Sequence, residues 1–353
     1  MSSHRPETIM GWDVGGANLK VSWLDANGRL SGVRQEPCAL WRGLPHLHAA
    51  MDAMLHSQPL RIPVAHAVTM TGEMADLFDN RNKGVCTLVD ALSQHLGNRR
   101  LGFYAGTAGW LSALAVKTRP KAAASFNWHA SAQALANRMD AALFVDIGST
   151  TTDIVPVLDS HVVAQGTCDS DRMALGELVY SGVVRTPLMA LAPSAPVAGR
   201  NIPLMAELFA TTADVYRLLG WLPDEADQHD TADSAPKTMR ASRQRLARMV
   251  GCDAQDQPDS VWDALAMWFA DTQLDILERA SRQVLAVSDL PDDAPLVAAG
   301  VGSFVAERLA HRLGRQVWHY AVAVGLSGTA YAHWASWCAP AVAVALLYRN
   351  HVQ

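Results

Sequence analysis

The sequence predicts an α/β fold built from two similar domains, and three observations lead to this prediction. An apolar strand, an acid, a glycine turn and a returning strand occur once in Gly11–Lys20 and again in Leu143–Asp153. The length of 353 residues exceeds that of one typical domain. Half of the residues are apolar and 18% are charged, which is enough apolar material for globular cores.

The first copy reads as a buried strand that ends in an acid and is followed by a two-glycine turn. Gly15 and Gly16 let backbone N–H groups approach a phosphate, because no Cβ stands in the way. We expect Asn18 to bind phosphate with them, Asp13 to face a bound cation, and Lys20 to meet phosphate charge. An ordinary hairpin turn is the alternative, since Gly-Gly between apolar runs is also a hairpin signal.

The second copy, LFVDIGSTTTD, offers the groups that cradle an oxyanion. Asp146 takes the place of the first acid, and Asp153 follows the turn as a second candidate catalytic acid. Backbone amides and hydroxyls suited to phosphate come from Gly148, Ser149, Thr150 and Thr151. Two unrelated hairpins are the alternative explanation of the repeat.

These paired stretches resemble the phosphate loops of the actin-like superfamily. The resemblance implies a two-domain actin-like, or ribonuclease H-like, ATPase fold in which similar domains close on a nucleotide in a central cleft. A third element of that superfamily is a glycine turn that packs on adenosine, for which Gly300 and Gly302 are the candidates. Simple packing also explains them, because small-residue strand-to-helix turns are common. We place the domains at 1–138 and 139–353, with a helical insertion around 195–290.

Hydrophobic periodicity predicts the remaining elements in chain order. The predicted helices are Leu44–Ser57, Val85–Leu96, Ala130–Met139, Ala206–Leu219, Arg240–Arg248, Ser260–Ser288, Phe304–Leu313 and a closing apolar helix. The predicted strands outside the two loops are Val64–Met70, Leu101–Tyr104, Ile154–Val157 and His161–Ala164.

Bulk composition excludes several classes of protein. A net charge of −5 argues against a broad nucleic-acid surface, and five scattered cysteines form neither a zinc site nor a disulfide framework. The N-terminal MSSHRPETI lacks the apolar core of a signal peptide. Between Arg315 and Arg349 no Lys, Arg, Asp or Glu occurs, but glycine, proline and polar residues interrupt every run before it reaches bilayer length. The sequence therefore predicts a soluble cytoplasmic protein.

Two acids follow the predicted strand Val64–Met70, at a strand end where ligands tend to bind in an α/β layer. Thr71 is a predicted helix N-cap, so that Glu73 and Asp76 share one helical face. The functional interpretation is a general base or a ligand for a cationic group. The alternative is a pair of acids favoured by the helix dipole.

Charged residues mark two further segments of the second half. Arg185 is either a diphosphate partner or a solvated charge at a strand end. The segment PDEADQHDTADSAPK places His229, Asp230 and Asp233 on a loop, where they could coordinate a divalent ion or an ammonium group. A solvated acidic loop is the alternative, and it is the usual role of a charge run.

Six stretches together resemble one branch of the hydantoinase/oxoprolinase-like proteins, the branch linked to tetrahydromethanopterin-dependent one-carbon metabolism. They are GWDVGGANLK, TGEMADLF, FVDIGSTTTDIVPV, GELVYSGVVRTPLMAL, NIPLMAELFATTADVYRLLGWL and HDTADSAPKT. The resemblance implies methanofuran-type cofactor synthesis, in which an aminomethylfuran-methyl diphosphate alkylates the phenol of γ-glutamyltyramine and releases diphosphate. These two small molecules are the implied partners, with no nucleic acid and no membrane, and a homodimer is compatible with them.

The resemblance also implies roles for the candidate residues. Amides of the two loops, with Mg²⁺ near Asp13 and Asp146, would stabilise the departing diphosphate, and Lys20 would add positive charge. The phenol, with an ordinary pKa of about 10, needs a base, for which Glu73 is the first choice and Asp153 the second. The substrate amine would contact the acidic loop. ATP is a ligand that the fold allows but that the implied reaction does not use.

Three other functions belong to different classes. A small-molecule kinase of the same superfamily would phosphorylate its substrate with ATP, and the third glycine turn is the feature that favours it. An ATP-dependent amidohydrolase of the hydantoin-opening type follows from the broader family name, although the chain is short for those subunits. A non-catalytic module would bind nucleotide and a protein partner without turnover.

Overall fold

The computed structural model describes residues 8–57, 64–97 and 100–352. The chain divides into two compact units, of which unit 1 comprises Met1–Ala141, Val157–Val163 and His319–Gln353, and unit 2 comprises Ala142–Pro156 and Ala164–Trp318. The first division lies close to the predicted boundary at residue 138. The C-terminal residues differ from the prediction, because they lie in unit 1 rather than with the second domain. The N-terminal residues 1–7, considered above for a signal peptide, lie outside the described residues.

The described residues form both strands and helices. The strands are β1 Thr8–Val14, β2 Asn18–Leu24, β3 Leu30–Pro37, β4 Val64–Met70, β5 Leu101–Tyr104, β6 Trp110–Leu111, β7 Ala142–Ile147, β8 Thr152–Leu158, β9 His161–Val162, β10 Leu178–Val179, β11 Ser194–Val197, β12 Arg200–Pro203, β13 Leu296–Ala299 and β14 Val317–His319. The helices are α1 Leu44–His56, α2 Arg81–Leu96, α3 Ala113–Thr118, α4 Asn127–Ala136, α5 Asp169–Ala174, α6 Thr212–Leu218, α7 Met239–Met249, α8 Asp259–Leu285, α9 Ser303–Arg312, α10 Tyr320–Ala323, α11 Ala332–Trp337 and α12 Ala339–Val352.

The sheet of unit 1 has the order β3-β2-β1-β4-β5-β6. Strands β1, β2 and β3 form an antiparallel meander, whereas β4 runs parallel to β1 and β5 runs parallel to β4. Every residue of β1 is buried, as expected for a central strand covered on both faces. Met10, Trp12 and Val14 join the core cluster that includes residues of α1 and α2.

The C-terminal helix α12 packs on the other face of this sheet, against β1, β2 and β4. Gly11 makes the close approach possible, because a Cβ at this position would collide with the backbone oxygen of Ala341. Ser22 donates a hydrogen bond to the same oxygen at 2.9 Å. This packing explains why residues 319–353 lie in unit 1 although they come last in the sequence.

A second sheet has the order β10-β8-β7-β13-β14, with β9 paired to β8. Its strand β13 runs parallel to β7, as β4 does to β1 in the first sheet. Helices α6, α7 and α8 pack on one another and form the helical part of unit 2. Both sheets therefore place a hairpin beside a parallel strand, and the predicted α/β class is confirmed.

Most of the predicted elements are present within a few residues, but two helices differ. The predicted helix Ala206–Leu219 begins only at Thr212, because Thr211 and Asp214 form a capping box that fixes its start. The helix predicted after Thr71 is wrong. A single 3-10 turn, Gly72–Met74, ends where Ala75 takes an extended conformation.

Candidate functional site

The first predicted phosphate loop is the turn between β1 and β2. It closes with a hydrogen bond from the Gly15 N–H to the Asn18 carbonyl at 3.1 Å. The carbonyls of Gly16 and Ala17 accept hydrogen bonds from the backbone N–H groups of residues 40 and 38, which hold the turn from outside. These backbone hydrogen bonds hold the loop both from within and from the segment that follows β3.

Two charged residues flank this first loop on neighbouring strands. Asp13 and Lys20 are partners across the β1–β2 pair, and their side chains form an ion pair with 3.7 Å between Nζ and Oδ2. Both side chains are largely buried. Asp13 also lies beside Thr69 of the parallel strand β4. The predicted cation ligand and the predicted phosphate-binding lysine are therefore brought together in unit 1.

The second predicted loop, between β7 and β8, has the same closure. The Gly148 N–H donates to the Thr151 carbonyl at 2.8 Å, which repeats the bond between Gly15 and Asn18 at equivalent positions. Asp146 precedes Gly148 as Asp13 precedes Gly15. The similarity predicted from the sequence thus extends to the hydrogen bond that shapes each turn.

The segment Ser181–Arg185 packs directly behind the second loop. The Ser149 carbonyl accepts from the backbone N–H groups of Val184 at 3.1 Å and Arg185 at 2.8 Å. A Cβ on Gly182 would stand 2.5 Å from backbone atoms of Ser149 and Thr150, so that only glycine allows this contact. Arg185, predicted as a diphosphate partner, is therefore fixed beside the Gly148–Thr151 loop.

A buried polar network holds this segment in place, and the sequence analysis did not identify it. Gln273 of α8 donates to the Ser181 hydroxyl at 2.6 Å and to the Gly182 carbonyl at 2.9 Å, and it accepts from the Tyr216 hydroxyl. The same Gly182 carbonyl also accepts from the hydroxyls of residues 186 and 212. No local pattern marks these residues, because the contacts join positions far apart in the sequence.

Asp153, the second predicted base, is held in a buried ion pair. Its Oδ1 accepts from Arg172 Nη1 at 2.8 Å, and Arg172 also lies 3.9 Å from a carboxylate oxygen of Glu177. Arg172 is buried, so its charge requires these acids. The ion pair gives Asp153 a structural role that the sequence analysis did not consider.

Glu73, the first predicted base, is buried at the end of β4. The Ser125 hydroxyl donates to Glu73 Oε1 at 2.6 Å. Ser125 has a φ of 54°, a left-handed conformation that non-glycine residues seldom adopt, next to this contact. Asp76 differs from Glu73, since it lies beyond the 3-10 turn and is exposed. The two acids therefore do not share a helical face as predicted.

The third predicted element, the turn with Gly300 and Gly302, packs on the end of β7. The Gly302 N–H donates to the Ile147 carbonyl at 2.8 Å. Gly300 has a φ of 79°, and a Cβ there would collide with the Ile147 carbonyl and the Asp146 carboxylate. Close packing on the strand that carries the second loop is thus a sufficient reason for both glycines.

Ion pairs hold the acidic segment 223–237 in place at two positions, Asp227 and Asp233. Asp227 forms ion pairs with Arg217 and with Lys237, the latter at 3.3 Å. Asp233 forms ion pairs with Arg245 at 3.1 Å and Arg248 at 2.9 Å. Against a desolvation penalty, a backbone N–H and these two guanidinium groups lower the pKa of Asp233. Two of the acids therefore anchor the segment.

His229 and Asp230 lie between these two anchors in the chain, and His229 lies near Arg185. Burial lowers the pKa of His229, the charge of Arg185 lowers it further, and Asp227 and Asp230 oppose the shift. Partial desolvation lowers the pKa of Arg185, although this residue is exposed to solvent, and the charge of ionised Tyr180 partly offsets the shift. The imidazole and the guanidinium thus share one neighbourhood within unit 2.

Metal binding was predicted near Asp13 and Asp146. Among the described residues, no group of three or more His, Cys, Asp or Glu side chains is placed to hold a metal ion. Mg²⁺ is commonly bound by one or two carboxylates together with substrate phosphates, so each buried carboxylate beside its loop fits such a role. Across the same residues, no helix has both the length and the apolar character that a bilayer crossing requires.

Three comparisons place the chain among known proteins. A family model described as hydantoinase/oxoprolinase matches residues 65–346. A Methanocaldococcus jannaschii protein named (4-{4-[2-(gamma-L-glutamylamino)ethyl]phenoxymethyl}furan-2-yl)methanamine synthase is 30% identical over 248 residues, which cover 70% of this chain and 72% of that protein. The protein of the same name from Methanococcus vannielii is 33% identical over 111 residues, which cover 31% of this chain and 50% of its own length.

A solved structure of acetone carboxylase in a nucleotide-free state matches with a TM-score of 0.56 and 9% identity, covering 93% of this chain and 70% of that one. At this identity the likeness concerns the fold alone. Together with the two sheets, it confirms the predicted actin-like ATPase fold.

Proposed function

The chain belongs to the hydantoinase/oxoprolinase family, and on that premise we propose that it is an enzyme of methanofuran-type cofactor synthesis. Its reaction joins an aminomethylfuran-methyl diphosphate to the phenol of γ-glutamyltyramine. The names of the two relatives support this proposal, because each describes a product in which a phenoxymethyl ether links a phenol to a furan. Small-molecule substrates and a cytoplasmic location belong to the same proposal.

The reaction forms one bond and breaks another at the furan methylene. The phenol oxygen bonds to that carbon, the carbon–oxygen bond to diphosphate breaks, and its electron pair leaves with the diphosphate. The phenol proton passes to a base. Negative charge grows on the leaving group, so groups that stabilise an oxyanion there accelerate the step.

The observation that carries the proposal is the construction of the second loop. A hydrogen bond of 2.8 Å from the Arg185 backbone N–H to the Ser149 carbonyl places the start of an exposed arginine side chain beside a turn of backbone amides and hydroxyls. Such a turn and an arginine suit a diphosphate. We assign phosphate oxygens to this loop of unit 2, and the first loop, with Gly15, Gly16 and Asn18, is the corresponding candidate phosphate loop of unit 1. Lys20 supplies further positive charge near the first loop.

Mg²⁺ fits the same assignment: in unit 2 Asp146 would hold it, and Asp13 is the corresponding carboxylate of unit 1. When bound, the ion neutralises charge on the diphosphate. The substrate amine, a cation, is assigned to the segment of His229, Asp230 and Asp233. Of the two acids, Asp230 is better suited to bind the substrate ammonium group, because Asp233 is already paired with two arginines.

Glu73 is the proposed base for the phenol. It is buried, and the Ser125 hydroxyl fixes one carboxylate oxygen at 2.6 Å. Asp153 is a poorer choice, because its ion pair with Arg172 stabilises the ionised carboxylate and weakens it as a proton acceptor.

Calorimetric titration with pyrophosphate and with ATP, each with and without Mg²⁺, tests the leaving-group assignment. We expect pyrophosphate to bind and ATP binding to be negligible. Incubation with the furan diphosphate and γ-glutamyltyramine should then yield the ether and one equivalent of pyrophosphate by mass spectrometry. Tight ATP binding with ATP hydrolysis, and no ether, would contradict the proposal in favour of a kinase or an amidohydrolase.

A further inference from the structure

A large aromatic side chain stands exposed beside the second loop. Tyr180 is 58% exposed, and it directly follows β10 in the chain. Its neighbour Val179 pairs with Thr152, the first residue after the Gly148–Thr151 loop. Because strand residues advance by about 3.3 Å, the Tyr180 ring starts within one side-chain length of the loop.

The backbone that carries Tyr180 is fixed rather than free to swing. Thr152 donates from its hydroxyl to the Ser181 carbonyl at 2.7 Å, and the Ser181 N–H donates to Val179 at 2.8 Å. Two residues after Tyr180, Gly182 packs on the loop itself, and its carbonyl accepts a hydrogen bond from Gln273. The position of this tyrosine relative to the loop is thus set by bonds on both sides.

Tyr180 also lies near the cationic side chain of the same segment. Tyr180 is close enough to Arg185 for the charge of its phenolate form to raise the pKa of Arg185, and the Arg185 backbone is anchored to the Ser149 carbonyl. Three chemically different groups therefore lie on one short segment and the loop it packs against: backbone amides, a guanidinium and an exposed aromatic ring.

We propose that Tyr180 and Arg185 form, with the Gly148–Thr151 loop, a subsite for a diphosphate ester whose planar ring lies one carbon from the phosphate. Arg185 contacts the diphosphate, and Tyr180 packs on the ring. This inference rests on the proposed function and names the residue that recognises the furan. Aromatic pairs gain stability beyond the apolar area they bury, so such a contact discriminates the ester from bare diphosphate.

The closeness of Tyr180 to the loop along the paired strands favours an arylmethyl diphosphate over a nucleotide. In the furan ester, one methylene separates the ring from the ester oxygen. In ADP, a ribose stands between the base and the phosphates. A ring partner that begins next to the loop suits the shorter spacing.

The test measures affinity for three probes: the furan-methyl diphosphate, inorganic pyrophosphate and ADP. In the variant Tyr180→Ala, affinity for the furan ester should fall roughly 2- to 12-fold, while affinity for pyrophosphate stays at the wild-type value. Tyr180→Phe should retain the affinity, and Arg185→Gln should lose both ligands. Tyr331→Ala removes another exposed tyrosine and is the matched control, for which no change is expected.

The outcomes separate this inference from the proposed function. If wild type binds the furan ester and Tyr180→Ala binds it equally well, the ring subsite is wrong while the proposed function stands. If Tyr180→Ala loses ADP affinity instead, the aromatic face serves a nucleotide and the ligand class is wrong. If wild type binds neither pyrophosphate nor the furan ester, the proposed function itself fails. Circular dichroism and a thermal melt of each variant confirm that folding is intact.

Discussion

Replacing Gln273 with leucine tests whether the buried network of unit 2 shapes the second loop. The substitution keeps the volume but removes the bonds to the Ser181 hydroxyl and the Gly182 carbonyl and the acceptor for the Tyr216 hydroxyl. The Gly182 carbonyl still accepts hydrogen bonds from two other hydroxyls, so the loss of the bond from Gln273 to this carbonyl costs little stability. The two hydroxyls are buried, and each buried group left unsatisfied costs about 1–3 kcal/mol, so we expect a total loss of about 2–6 kcal/mol.

A double-mutant cycle distinguishes the network from a general packing defect. Tyr216→Phe removes the other partner, and in the double variant neither a donor nor an acceptor is left alone between the two positions. The double variant should therefore be about 1–3 kcal/mol more stable than the sum of the single losses predicts. Gln283→Leu, on the exposed side of the same helix, removes one solvent-exposed hydrogen bond to the Ala174 carbonyl and leaves no buried group unsatisfied. It is the matched control and should stay within about 1 kcal/mol of wild type.

Urea denaturation measures these losses, and hydrogen exchange by mass spectrometry locates them. The amides of residues 181–186 should exchange faster in Gln273→Leu, and pyrophosphate affinity should fall with them, because this segment supports the loop. A stability equal to that of Gln283→Leu would refute the reasoning. Unchanged amide hydrogen exchange in residues 181–186 would also refute the reasoning.

Three further predictions concern single residues. Glu73→Gln should lower turnover about 10²- to 10⁴-fold with little change in pyrophosphate affinity, because the base acts on the phenol and not on the diphosphate. Steady-state kinetics measure the turnover and calorimetry measures the affinity, and an equal fall in the two would reject the role of Glu73 as base. Gly182→Ala should weaken pyrophosphate binding and destabilise unit 2 by about 1–3 kcal/mol, because the added Cβ would stand 2.5 Å from the loop backbone. Wild-type values of affinity in calorimetry and of stability in urea denaturation would contradict this prediction. The folded-state pKa of His229 lies below its unfolded value of about 6.5, so its contribution to stability is complete above that pH and declines as the pH falls through the window below it. Urea denaturation of His229→Gln across pH 5 to 7 should show a flatter profile than wild type, and an identical slope would oppose the assignment.

The sequence was sufficient to predict the parts of the fold that depend on local patterns. The two loops were visible because each is short, contiguous and marked by an acid and glycine between apolar strands. Helices such as α8 followed from periodicity over many residues. The capping box at Thr211 could also have been seen, since Asp214 stands at the expected spacing, and it would have corrected the start of α6.

Other features depend on contacts between distant residues, which one sequence does not reveal. The packing of α12 on the first sheet requires Gly11 opposite Ala341, and nothing in the sequence around either residue predicts this contact. The role of Gln273 depends on Ser181 and Tyr216, each far from it in the chain. Asp153 read as a candidate base because it follows a glycine loop, whereas its partner Arg172 lies on a separate helix.

The two loops share a backbone design but differ in charge, and this difference bears on what each can bind. At equivalent positions after the glycine, the first loop has Lys20, paired with Asp13, and the second has Asp153, paired with Arg172. A carboxylate at this position adds no attraction for phosphate. In the proposed site, Arg185 on the adjoining segment supplies the cation of the second loop. Arg185→Gln should therefore weaken pyrophosphate binding in calorimetry with little loss of stability, whereas Arg172→Gln should mainly lower the stability measured by urea denaturation, because Arg172 is buried and paired with Asp153. On this proposal the duplicated turn does not make the two halves of the protein equivalent, because each loop draws its positive charge from a different residue.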